Sequence, residues 1–154
     1  EWFPLGREML QGNRGDRQAG CIVGLHYHLH QADYWYVPIG TCRVVLHDLR
    51  VGSPTDGATQ VIDIGARADG THDHRGIFIP PGVAHGFASL TDMTITYLVD
   101  SYYNPKDELG LAYNDKAVKA DWGIEKPILS DRDAANPTRD AIKDQVRPFW
   151  PMRT

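Results

Sequence analysis

The chain has 154 residues, 42% hydrophobic and 23% charged, which is the mix of a globular domain long enough to bury a core without disulfides or a structural metal. Its formal charge of −4 excludes a generally basic nucleic-acid binder, and no apolar run approaches the roughly 18 residues of a membrane helix. Cys21 and Cys42 form no disulfide framework and fit a reducing cytoplasm, and the start, Glu-Trp-Phe-Pro-Leu-Gly-Arg, has neither an initiator Met nor the layout of a signal peptide.

Glycine (15) and proline (10) cut the chain into short pieces, which favours strands and turns over helices. Residues 21–29 (Cys-Ile-Val-Gly-Leu-His-Tyr-His-Leu) read as a first strand, and Tyr34-Trp35-Tyr36-Val37 as a second, closed by Pro38 and Gly40. Residues 41–49 are a third, followed by the turn-rich Gly52-Ser53-Pro54-Thr55-Asp56-Gly57. Residues 60–65 and 76–79, then 87–90 and 93–100, complete the set, with Pro80-Pro81-Gly82 as a stop. Short strands at roughly 8–12-residue spacing predict an all-β sandwich or barrel. The segment 114–147 balances its acids and bases and reads as solvated loops with a short helix or two. The chain is expected to be one domain over 1–154, with a barrel core at about 9–105 and C-terminal loops and helices at about 106–154.

His26, His28 and His30 share one face if they lie on a strand, because side chains there repeat with period two. Asp33 and Gly40 follow, and Pro80-Pro81-Gly82-Val83-Ala84-His85, a Pro-x-Gly-x-x-His pattern, comes much later. This two-part spacing resembles the motifs of the cupin superfamily, a jelly-roll β-barrel. The resemblance implies that His26, His28, Asp33 and His85 hold one divalent transition metal, with Asp33 standing where glutamate is usual. The plainer account has these histidines lining the barrel interior without a metal. His72 and His74, beside Gly70 and Asp73, read as a surface loop, and Arg14-Gly15-Asp16 as a chance match to an adhesion tripeptide.

A longer set of motifs resembles the dTDP-4-dehydrorhamnose 3,5-epimerase family. It comprises Leu10-Gln11-Gly12-Asn13, Gly24-Leu25-His26-Tyr27, Asp48-Leu49-Arg50 with Ser53-Pro54-Thr55, Ile79 to Phe87, Tyr97, Tyr102-Tyr103-Asn104-Pro105, Glu108, Trp122 and Pro127 to Asp133. These run in one order from about residue 9 to 137. The resemblance implies a cupin-type barrel with short C-terminal helices, assembled as a homodimer, that epimerises a nucleotide-linked 4-keto deoxysugar without a cofactor. His26 would abstract the proton α to the ketone, Asp133 would orient it, and Tyr97 would reprotonate the opposite face. His28, His85, Tyr103 and Trp35 would contact substrate.

Three departures stand out. Val23 occupies the place of the family's arginine before Gly-Leu-His. Asp33 occupies that of a lysine expected to steady the enolate. The family's N-terminal Asp-x-Arg-Gly stretch has no counterpart. Two alternatives to the epimerase follow: a metal-dependent isomerase or oxygenase using His26, His28, Asp33 and His85, and a non-catalytic sugar-binding cupin with an aromatic wall of Tyr34, Trp35 and Tyr36. Metal content separates the first alternative from the epimerase, and binding without turnover separates the second.

Overall fold

The computed structural model describes residues 7–143 and 147–150. Ten strands run in chain order: β1 (Gln11–Arg17), β2 (Ile22–Tyr27), β3 (Asp33–Ile39), β4 (Thr41–Asp48), β5 (Thr59–Ala66), β6 (His72–Asp73), β7 (Ile77–Ile79), β8 (Val83–Ser89), β9 (Met93–Val99) and β10 (Leu109–Gly110). Two helical turns follow, α1 (Asp131–Ala134) and α2 (Arg139–Ile142). The strands form a four-stranded sheet, β1-β9-β3-β7, and a six-stranded sheet, β10-β2-β8-β4-β5-β6. This is the all-β, jelly-roll architecture expected of a cupin. No described helix is long and apolar enough to cross a membrane.

Period-two alternation decides what points inward. In β3, Asp33, Trp35 and Val37 are buried while Tyr34, Tyr36 and Pro38 are half-buried. The inner faces of the two sheets enclose a core of Trp35, Val37, Val44, Ile64, Phe87 and Ile95 with their neighbours. A second core lies on the other side of the larger sheet, where Leu25, Tyr27, Val45, Leu49 and Ala88 meet Leu111, Val118 and Trp122 of the C-terminal segment. Strand β8 lies between the two, and all seven of its residues are buried.

Several sequence expectations change. The first strand ends at Tyr27, so His28 and His30 lie beyond it; His30 is exposed, while His28 is buried and lines the same interior space as His26. Pro38 does not end β3, which continues to Ile39 with its register to β9 shifting between Tyr36 and Ile39. A proline is tolerated there because the ladder is already interrupted. Strand β1 has little apolar character and was not expected; it pairs with β9 along all seven residues. His72 lies in the two-residue strand β6, half-buried and stacked on His74 at 4.4 Å between ring centroids, instead of in a surface loop.

Candidate active site

Between the two sheets lies a cavity of about 370 Å³, lined by His26, His28, Asp33, Trp35, His85 and Tyr97 together with Gln11, Asn13, Arg14, Arg17, Val23, Tyr103, Glu108 and Arg132. His26 stands directly opposite His85 on the neighbouring strand β8, so both rings project from the same face. The register between β2 and β8 shifts between Val23 and His26. Gly24 makes that shift possible: its φ is +108°, and a Cβ there would lie 2.7 Å from the His85 carbonyl oxygen. No side chain fits such an approach.

His26 Nε2 donates to Asp133 Oδ1 at 2.6 Å. The second carboxylate oxygen accepts the Gly24 N–H at 3.2 Å. Asp133 reaches this place because Ser130 caps α1, its hydroxyl accepting the Asp133 N–H at 3.1 Å. Ser-x-x-Asp reads as a capping sequence, yet here the acid of that sequence leaves the cap and crosses to β2. Burial pushes the Asp133 carboxyl up in pKa, but hydrogen bonds from His26, Gly24 and Ser130 outweigh burial and hold it below the usual carboxylate value. A carboxylate at Nε2 fixes the proton there and leaves the lone pair on Nδ1, which makes no hydrogen bond to any described residue. His26 remains partly open to the cavity, its side chain 19% exposed.

The other two histidines are arranged differently. His85 Nδ1 donates to the Val83 carbonyl at 2.9 Å. His28 Nδ1 donates to the Asp107 carbonyl at 2.7 Å. Their Nε2 atoms lie 3.7 and 3.8 Å from the two oxygens of Asp33. Asp33 accepts from Gln31 Nε2 at 2.8 Å and from Trp35 Nε1 at 3.0 Å. Burial lowers the His85 pKa to about 4, and Asp33 opposes that shift only in part. The loop carrying His28 is pinned from below, where the Asp107 carboxylate accepts backbone N–H groups of Leu29, His30 and Gln31.

The four residues singled out as one metal set are therefore divided. His28, Asp33 and His85 offer ligand atoms within 4.8 Å of one another, whereas His26 is engaged by Asp133. Tyr97 lines the cavity from β9, in the sheet opposite His26 and His85 and in register with Trp35 on the neighbouring β3. Burial and the Asp33 charge raise its pKa while Arg17 lowers it, so its hydroxyl keeps a proton to give. Trp35 lines the cavity as a buried wall. Tyr34 and Tyr36 do not, since alternation turns them outward, and the Tyr36 hydroxyl bonds His74 at 2.9 Å instead. Tyr103 stands at the rim, 66% exposed. Sequence reading missed Gln31, Asp107, Arg14, Arg17 and Arg132. Gln31 and Asp107 carry no motif; Arg14 reads as part of a chance tripeptide, nothing singles out Arg17, and Arg132 lies in a segment that reads as solvated.

Residues 3–140 match the model of the dTDP-4-dehydrorhamnose 3,5-epimerase family. The chain belongs to this family. A dTDP-4-dehydrorhamnose 3,5-epimerase of Mycobacterium tuberculosis is 34% identical over 151 residues, covering 93% of this chain and 72% of that protein. The corresponding enzyme of Shigella flexneri is 32% identical over 130 residues, covering 82% and 69%. Among solved structures, the Legionella pneumophila dTDP-6-deoxy-D-glucose-3,5-epimerase in complex with dTDP-4-keto-L-rhamnose superposes with a TM-score of 0.84 at 31% identity, over 95% of this chain and 77% of that one. Val23 and the acidic Asp33, the two positions at which a departure from the family pattern was expected, both line the cavity. Arg17 of β1 lines the same cavity as Val23.

Proposed function

We propose that His26, Asp133 and Tyr97 carry out the epimerisation of a nucleotide-linked 4-keto deoxysugar, the chemistry of the family to which the chain belongs. The observation that carries these roles is the 2.6 Å His26–Asp133 bond on one wall of the cavity, with a protonated Tyr97 on the other. His26 takes the proton α to the ketone, and Asp133 stabilises the imidazolium that results. The enolate is then protonated on its opposite face by Tyr97, which inverts the carbon. An acid and a base on facing sheets suit inversion, and the two proton transfers need no organic cofactor. Arg14, Arg17 and Arg132 at the cavity wall suit the anionic diphosphate of a sugar nucleotide. His28, His85, Trp35 and Tyr103 contact the sugar in this reading.

We place the enzyme in the cytoplasm as a homodimer. Free Cys21 and Cys42 suit a reducing compartment. Strand β1, at the edge of its sheet, offers unpaired backbone groups to a second copy. Sedimentation at twice the chain mass is the expected result. The deciding experiment incubates the protein with dTDP-4-keto-6-deoxysugars in heavy water. Deuterium is expected at a carbon beside the ketone, and its absence across the panel from folded protein would refute the residue roles.

A further inference from the structure

We propose that His28, Asp33 and His85 form a three-ligand site for a first-row divalent transition ion, separate from the His26–Asp133 pair and adjacent to it. The tautomers carry the argument. His85 Nδ1 faces the Val83 carbonyl at 2.9 Å. His28 Nδ1 faces only acceptors, the Asp107 carbonyl at 2.7 Å and Glu108 Oε1 at 3.6 Å. Both Nδ1 atoms therefore hold their protons, and both Nε2 atoms present lone pairs. Those lone pairs converge on a carboxylate, 3.8 and 3.7 Å away. His28 and His85 are 5% exposed at the side chain and Asp33 is 4% exposed. The Gln31 amide faces His28 Nε2 at 3.2 Å and Asp33 at 2.8 Å, and Trp35 serves the other Asp33 oxygen. No described donor serves His85 Nε2. Three acceptor groups aimed at one another in a buried place make a seat for a cation.

Distance and chemistry agree. Ligand atoms spread over 4.8 Å need to close by roughly an ångström around an ion with bonds of about 2.1 Å. Two imidazoles and one carboxylate select divalent transition ions over magnesium or calcium and leave coordination positions open. Backbone carbonyls orient both rings, as second partners of metal-binding histidines do. The site does not use His26, so base and ligand are different residues. Its role, though not its existence, rests on the epimerase reading. A cation beside the substrate ketone would balance the charge of an enolate forming in a cavity that contains the Asp33 carboxylate.

The test strips the full-length protein with chelator and titrates it with Mn²⁺, Co²⁺, Zn²⁺ and Mg²⁺ separately. About one transition ion per chain is expected, with no comparable Mg²⁺ binding. Asp33→Asn and His85→Gln are expected to weaken binding by about 100-fold or more, while His26→Asn binds as the wild type does. Stoichiometric binding that survives both ligand changes, loss of binding in His26→Asn, or no binding by the wild type overturns the site. If the ligand variants fail to fold, the visible spectrum of the Co²⁺-loaded wild type decides. Bands of nitrogen and oxygen ligation support the site, and the spectrum of aqueous Co²⁺ overturns it. Deuterium exchange separates the two readings. A loaded enzyme that binds its ion but exchanges no sugar proton refutes the epimerase roles and leaves the site standing.

Discussion

His26 and His85 stand opposite each other on β2 and β8, yet one is bonded to a carboxylate at 2.6 Å and the other lies 3.7 Å from one. The difference lies in which ring nitrogen meets the protein first. His26 meets Asp133 through Nε2, so its proton is fixed on the side away from its free lone pair. His85 meets the Val83 carbonyl through Nδ1 and turns its lone pair toward Asp33. In the roles proposed above, the same residue type on adjacent strands serves proton transfer in one case and donation to a cation in the other. The backbone chooses between them, through the bulge at Gly24 and the carbonyl of Val83.

The largest effect should come from the first group. His26→Asn removes the base and should lower epimerisation by about 10³-fold or more, read as loss of solvent deuterium exchange, with Asp33 and His85 undisturbed. Gly24→Ala strikes the support of both groups at once. Its Cβ would lie 2.7 Å from the His85 carbonyl at a φ of +108°, so a destabilisation of about 3 kcal/mol or more is expected in denaturant melts. Tyr97→Phe should cost about 10²-fold in inversion while proton abstraction continues, so exchange without inversion is its signature.

Acidification gives the smallest and most selective test. His47 is fully buried, and burial lowers its pKa from 6.5 to about 4. The unfolded chain therefore binds more protons there between these values, so His47 removes at most about 3 kcal/mol as pH drops from 6.5 toward 4. His85, lowered by burial in the same way, costs stability over the same range. This loss is common to wild type and His26→Asn. Asp133 behaves differently, because its folded carboxyl lies below the unfolded value of 3.8. Its contribution is present above that value and is lost as pH falls through the folded pKa. His26→Asn should shrink this second loss and leave the first, as followed by urea melts across the pH range.

The β-rich character and the order of the family motifs were legible in the sequence, because alternation and turn residues are local signals; the faces were legible only in part, since Tyr34 and Tyr36 turn away from Trp35. That His26 and Asp133 meet, and that Tyr97 lines the same cavity as His26, was legible only through the order of the motifs. The division of the histidines was not, since it depends on β2 stopping at Tyr27 and on Asp107, far along the chain, capturing the backbone of residues 29–31. Strand β1 was missed for a related reason. Its sequence, Gln-Gly-Asn-Arg-Gly-Asp-Arg, has no apolar face, and its pairing with β9 supplies what composition does not. Asp133 reads locally as part of a helix start, and nothing near it in sequence reveals a partner on β2.

That partner lies 107 positions away, with Ile128 bridging to Cys21 just before it. The chain must lay down both sheets, cross the outer core and turn at Ser130 before the imidazole acquires its orienting acid. During synthesis from the N-terminus, the barrel strands precede the segment that arms them. A nascent or clipped chain ending before residue 130 would carry His26 without its acid, so under the proposed roles activity would report that the last third has docked.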